Sequence, residues 1–167
     1  MTGHAEQSAP SVWVERWAPL IPPGRVLDLA CGSGRHSRLL LARGHEVVAV
    51  DREPLALAGV CFVRADLEDG SPWPLPGERF QGIVVTNYLH RPLFPLLQQA
   101  LVAGGILLYE TFMVGNERYG KPSNPAFLLQ PGELWRAFAG LHVIAFEQGR
   151  VREPKLAMIQ RLCAARA

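Results

Sequence analysis

Short apolar runs alternate with stretches of helical spacing from Val12 to Cys163. Val12, Trp13, Trp17 and Leu20 recur at roughly helical intervals, and Ser11 stands in front of them as an N-cap. Ile21-Pro22-Pro23-Gly24 breaks that helix. Arg25–Leu29 is a short apolar run before glycines and predicts a buried strand; Arg35–Arg43 predicts the helix after it, stopped by Gly44. Glu46–Val50 predicts a second strand ending at Asp51, and Cys61–Arg64 a third ending near Asp66. The interval Glu53–Gly59 between them hardly has space for a full helix. After a proline-rich loop, Ser71–Gly77, the β-branched run Phe80–Val85 predicts a fourth strand. Pro92–Val102 reads as a helix closed by Gly104-Gly105, and Ile106–Thr111 as the fifth strand. Met113–Pro131 has no period and many turn residues, so it reads as a long loop of the kind that usually carries function. Gly132–Phe138 predicts a short helix. Leu141–Glu147 and Leu156–Cys163 predict two last strands joined through Gly149–Pro154.

Strand and helix alternate through the first five strands, which predicts a parallel sheet covered on both faces. The connection between the last two strands is too short for a parallel crossover, so they should pair antiparallel. The expected fold is therefore a single-domain, Rossmann-like, doubly wound α/β sheet of seven strands, mostly parallel with an antiparallel last strand. The length of 167 residues fits one core. Residues 1–10 are small and polar and are expected to be a flexible N-terminus, with the domain over residues 11–167. Met1–Pro10 has no apolar centre, so no signal peptide is expected, and no apolar run has the length of a membrane span.

Charge and cysteine content narrow the chemistry. The net charge of +2 does not by itself imply a nucleic-acid partner, although the C-terminal half is mildly basic. Cys31, Cys61 and Cys163 are far apart and in no paired ligand spacing. No metal site is expected from them, and reduced thiols in a cytoplasmic protein are the expectation.

The richest segment is Val26-Leu27-Asp28-Leu29-Ala30-Cys31-Gly32-Ser33-Gly34-Arg35-His36-Ser37. A buried strand ends at an acid, the chain turns on two glycines, and a helix begins. Glycines let a ligand approach the backbone, and the helix start leaves amide groups to receive it. Asp51 follows Gly34 by 17 residues, near the distance at which an acid meets ribose hydroxyls in doubly wound sheets. Asp66, after the third strand, could accept an adenine amine. Thr86-Asn87-Tyr88-Leu89-His90-Arg91 follows the fourth strand, and all these residues converge on the C-terminal edge of the sheet.

These motifs resemble those of the class I S-adenosylmethionine-dependent methyltransferases. Asp28–Gly34 matches the family's first motif, Asp51 the second and Asp66-Leu67 the third. Asn87-Tyr88-Leu89-His90 matches the fourth, and Gly104–Tyr109 the motif of strand five. Gly132-Glu133-Leu134 and the short chain look most like small bacterial tellurite-resistance-like methyltransferases. The resemblance implies S-adenosyl-L-methionine as cofactor, held by Asp28, Ala30, Cys31, Gly32, Gly34, Arg35, Asp51, Arg52, Asp66, Leu67, Asn87 and Tyr88.

Transfer of an activated methyl asks for little beyond placing the nucleophile, and a base matters only where the nucleophile must lose a proton. His90, Tyr109 and Glu110 are the candidates. Each has a plain alternative: His90 as a helix cap, Tyr109 as core, and Glu110 as the partner of Arg118 or Lys121. Arg35 could meet the methionyl carboxylate or stand in solvent, and Trp13 and Trp17 read as packing against the sheet. Asn116, Arg118, Tyr119 and Lys121, in the long loop, are the expected acceptor contacts. A small-molecule methyl acceptor is favoured by the lack of a basic stripe or appended domain. An RNA or protein acceptor, or a non-catalytic cofactor-binding module, stays open. A nicotinamide-dependent oxidoreductase is disfavoured, because Ser37 stands where a third glycine would be expected and the last strand is antiparallel.

Overall fold

The structure is a computed structural model that describes residues 8–167. Of the N-terminal segment expected to be flexible, residues 1–7 lie outside the described residues. One seven-stranded sheet runs in the order β3-β2-β1-β4-β5-β7-β6. Its strands are β1 (Arg25–Leu29), β2 (Glu46–Asp51), β3 (Val60–Arg64), β4 (Phe80–Thr86), β5 (Leu101–Phe112), β6 (His142–Val151) and β7 (Ala157–Ala165). Strands β1 to β5 pair parallel; β7 pairs antiparallel with both β5 and β6. No described helix is long and apolar enough to cross a membrane.

The sheet separates two cores, and strand alternation decides which residue joins which. Val26, Val47, Val84 and Leu108 face α1 (Val12–Trp17) and α2 (Arg35–Ala42), where they pack with Trp13, Val14 and Leu40. Their neighbours Leu27, Val48, Val85 and Tyr109 face the other way, toward α3 (Phe94–Ala100) and α4 (Glu133–Ala137). There Phe94, Tyr109 and Phe138 form an aromatic cluster of one edge-to-face and two tilted pairs, with centroids 5.0–6.1 Å apart. The Ser11 hydroxyl accepts the amides of Trp13 and Val14 and so starts α1, as its position in the sequence requires.

The boundaries of α3, β5 and β6 depart from the sequence pattern in ways that matter to the sheet. The helix expected to reach Val102 ends at Ala100, and β5 already begins at Leu101. The register with β4 jumps from Phe80↔Leu101 to Gly82↔Ile106, so residues 102–105 bulge out of the ladder. Gly105 makes that possible: a Cβ there would lie 2.9 Å from the Val102 carbonyl and 3.1 Å from that of Phe80. β6 runs on to Val151, which pairs with Ala157, so the last turn is shorter than Gly149–Pro154 suggested.

The segment 113–131 is not an unattached loop. Met113 bridges Leu129, two 3-10 turns form at Asn116–Arg118 and Pro125–Phe127, and Leu128 and Leu129 are buried.

Candidate functional site

The chain leaves β1 through a tight winding turn. Ala30, Gly32 and Gly34 all have positive φ, at 54°, 54° and 81°. The Cys31 amide donates to the Val50 carbonyl, which ties the turn to the end of β2. The Gly32 amide donates to Asp51 Oδ2 at 2.9 Å, while Asp51 Oδ1 accepts the Glu53 amide at 2.9 Å. Asp51 is thus held in place by backbone donors on both oxygens, with its remaining lone pairs available. A Cβ on Gly32 would meet nothing within 4 Å, so the backbone there faces open space. Asp66 Oδ1 accepts the Glu68 amide at 2.9 Å, fixing that carboxylate at the end of β3 in the same way.

Three clefts follow one another along the C-terminal ends of the parallel strands. The first, about 540 Å³, is lined by Ala30, Asp51, Arg52, Asp66, Leu67 and Tyr88, with Phe127 across from them. The second, about 250 Å³, shares Tyr88 and Phe127 with the first and adds Asn87, Thr111 and Phe112. The third, about 390 Å³, shares Asn87 and Phe112 with the second. Its walls are residues 8–12 on one side and Ala157, Ile159 and Arg161 of β7 on the other, with Arg35 and Glu110 also lining it. Asn87, at φ 54°, turns the chain where the last two clefts meet, and its amide donates to the Glu110 carbonyl.

Several sequence expectations need correction. Asp28 is buried under the turn and lines none of the three clefts; Ser37 Oγ donates to it at 2.7 Å. Burial raises its pKa to about 6 despite that bond, so its place is beneath the glycine turn. Cys31 is buried too, and burial pushes its thiol up to about 12. Tyr109 is no base candidate: it is buried in the aromatic core, its hydroxyl donates to the Tyr88 carbonyl, and burial drives its pKa far upward. His90 points away from the three clefts, into a groove beside Trp73 and Pro74, with Nδ1 3.7 Å from Glu68. Glu110 does line the third cleft, but neither Arg118 nor Lys121 pairs with it. Its partners are Arg161, which donates to Oε2, and Ser11, whose hydroxyl donates to Oε1 at 2.9 Å.

The expected acceptor contacts in the long loop are also corrected. Asn116 is buried and braces the fold: its amide nitrogen donates to the Pro122 carbonyl, and its oxygen accepts the Met158 amide. Arg118, Tyr119 and Lys121 line none of the three clefts, and Lys121 donates to Ser123. From that segment the clefts receive Pro122 and Phe127 instead. Phe127 is held in place by Arg91, which pairs with both oxygens of Glu133 and donates to the carbonyls of Ala126 and Leu128. Burial opposes ionisation of Glu133, but the bonds from Arg91 and the Gln130 amide win and hold its carboxyl below the usual range.

Sequence reasoning missed His36 and Arg161. His36 is 2% exposed; its Nε2 accepts the Ser11 amide at 3.0 Å and its Nδ1 lies 3.4 Å from Thr86 Oγ1. Burial, then the Arg35 charge, lowers its pKa to about 4, so the ring is neutral. Arg161 carried a legible signal. It is the one charge inside the apolar run of β7, Glu110 is the one inside the apolar part of β5, and the two residues are register partners.

The sheet order, the glycine turn and the acids at the ends of β2 and β3 together define the class I methyltransferase fold. Residues 26–103 match the family model described as a methyltransferase domain. A trans-aconitate 2-methyltransferase of Methylobacterium nodulans is 35% identical over 113 residues, covering 61% of this chain and 43% of the relative. A tRNA U34 carboxymethyltransferase of Alcanivorax borkumensis is 34% identical over 128 residues, covering 62% and 40%. The chain thus spans less than half the length of these curated relatives. TehB from Haemophilus influenzae superposes with a TM-score of 0.78 at 18% identity, over 98% of this chain and 64% of TehB. The glycopeptide N-methyltransferase MtfA complexed with S-adenosyl-L-methionine gives 0.65 at 18% identity, over 98% and 90%.

Proposed function

We propose that this chain transfers the methyl group of S-adenosylmethionine to a small acceptor seated in the third cleft. The observation that carries this reading is the continuity of the three clefts, from the Asp51–Asp66 end through Asn87 to the pocket between residues 8–12 and β7. In this reading the lone pairs that Asp51 keeps beyond its backbone bonds accept the ribose hydroxyls, and Asp66 accepts the adenine amine. The open face over Gly32 lets the ligand lie against the backbone. Arg35 gives one N–H to the Ala9 carbonyl, at 3.0 Å, and keeps others for the methionyl carboxylate. Bound there, the cofactor supplies an electrophilic methyl on a sulfonium.

What remains for the protein is placement of the acceptor. The third cleft has a volume suited to a small ligand. Its inner carboxylate, Glu110, is already committed to Arg161 and Ser11, and the neutral ring of His36 already accepts an amide. The acceptor therefore arrives as an anion, and placement rather than proton removal drives the reaction. The small-molecule relative, acting on trans-aconitate by name, favours the same acceptor class. The buried free thiols Cys31 and Cys163 fit a reducing cytoplasm.

The test is a transfer assay with labelled methyl against small-molecule, RNA and protein fractions of a bacterial extract. Label in the small-molecule fraction is expected. The likeness to the tRNA enzyme makes label in RNA the competing result, and label in no fraction would point to a binding module without turnover. His90→Ala is expected to lower turnover by less than about tenfold, below the 10²–10⁴ that loss of a general base costs.

A further inference from the structure

Beyond the bonds by which Ser11 caps α1, the wall of the third cleft formed by residues 8–11 is tied by three hydrogen bonds, each to a residue that borders the site. Ser11 donates its amide to His36 Nε2 and its hydroxyl to Glu110 Oε1. Two residues upstream, the Ala9 carbonyl accepts from Arg35. Arg35 and His36 open the first turn of α2, directly after the glycine turn, and Glu110 stands near the end of β5 between Ser11 and Arg161. Apolar anchoring begins only further on, at Trp13, which is 3% exposed and donates to the Leu162 carbonyl at 3.1 Å. Ser8 and Ala9 are exposed and Pro10 is half-buried. The segment is therefore a short strap with a firm root at Trp13 and a polar catch at Ser11.

We propose that Ser11 is a positioning residue whose contacts with Glu110 and His36 hold residues 8–11 shut over the acceptor cleft, and that release of this catch admits and discharges ligands at the methionine end of the cofactor site. The proposal rests on the methyltransferase reading given above. A strap secured by hydrogen bonds opens at small cost, because water replaces each lost partner, whereas extraction of Trp13 would expose a large buried ring. The geometry also links the two ligands. The same α2 turn that borders the cofactor glycines supplies two of the three tethers, so a shift at that turn on cofactor binding tightens or loosens the acceptor wall. Glu110 is then explained without a proton-transfer role: its two oxygens join the strap to β7 across the cleft.

The test separates the catch from the N-cap role that Ser11 also fills. Ser11→Asp keeps a good capping oxygen for α1 but sets a carboxylate against Glu110 in place of a hydroxyl donor. Adding Glu110→Gln to it restores a donor–acceptor pair. Hydrogen exchange of the full chain without ligand should be faster at residues 8–12 in Ser11→Asp by about tenfold or more, unchanged near Trp17, and slowed again in the double variant. Stopped-flow binding of S-adenosylhomocysteine, followed by tryptophan emission, should show association and dissociation both faster by about threefold or more in Ser11→Asp, with the double variant nearer wild type. Unchanged exchange in Ser11→Asp overturns the catch. Faster exchange with unchanged ligand rates overturns the gating role, because the strap then lies off the ligand's path. Failure of the wild-type chain to bind S-adenosylhomocysteine is a different outcome, which takes down the methyltransferase reading and the gate with it.

Discussion

Asp28 at the end of β1 and His36 at the start of α2 flank the glycine turn and pull stability in opposite directions with pH. The folded-state pKa of His36 is lowered from 6.5 to about 4, so its contribution is fully present above 6.5 and is lost as pH falls through about 4. Asp28 is raised from 3.8 to about 6, so its contribution is present below 3.8 and is lost as pH rises through about 6. Between these limits the two slopes oppose, which hides both in the wild-type curve. His36→Gln removes one and leaves the other. The stability of wild type relative to this variant, from urea denaturation, should fall by about 2–3 kcal/mol between about pH 7.5 and about pH 4.5. A constant difference across that range would show that His36 is not buried as a neutral acceptor for Ser11.

Among the elements, the segment between β5 and α4 departs most from its sequence pattern. Its turn residues and lack of period suggested a long loop that carries the acceptor contacts. In the fold it is braced by Asn116 from within and by Arg91 from the fourth-motif turn. Arg91→Ala removes the pairing with Glu133 and two carbonyl contacts, and should cost about 1–3 kcal/mol of stability. Hydrogen exchange at residues 126–129 should speed up in that variant, and S-adenosylhomocysteine should bind more weakly as Phe127 loses its position. Intact protection at those residues would mean that the bridge between Met113 and Leu129 holds the segment without Arg91.

The same contrast explains what the sequence could and could not reveal. Strand alternation and turn chemistry are local, so β1 to β4, the Ser11 cap and the antiparallel β7 were legible within a residue or two. Asp51, Asp66 and Asn87 were legible because each closes a strand on the same sheet edge. The start of β5 was not, because the bulge at residues 102–105 depends on how close Gly105 comes to the Phe80 carbonyl across the sheet. The roles of Tyr109, Asn116 and His36 were hidden for a related reason. Side-chain partners 6 to 42 residues away decide whether a polar group serves the site or the fold.

For the whole molecule, the central claim is that the open sheet edge is a nucleoside site continuous with an acceptor cleft. Parallel strands bring Ala30, Asp51, Asp66 and Asn87 to one edge, and the antiparallel β7 supplies the far wall at Ile159 and Arg161. The measurement that tests this most directly is titration calorimetry of S-adenosylhomocysteine, with NAD as control, on wild type, Asp51→Ala and Gly32→Val. Wild type should bind S-adenosylhomocysteine one to one and should not bind NAD. Asp51→Ala should lose about 1.5–3 kcal/mol of binding, the range for hydrogen bonds to a charged group. Gly32→Val should abolish binding while circular dichroism stays native, since in this account the ligand takes the open space over Gly32 and Val at φ 54° also strains the turn. Affinity in both variants equal to that of wild type, or binding of NAD in place of S-adenosylhomocysteine, would contradict the account.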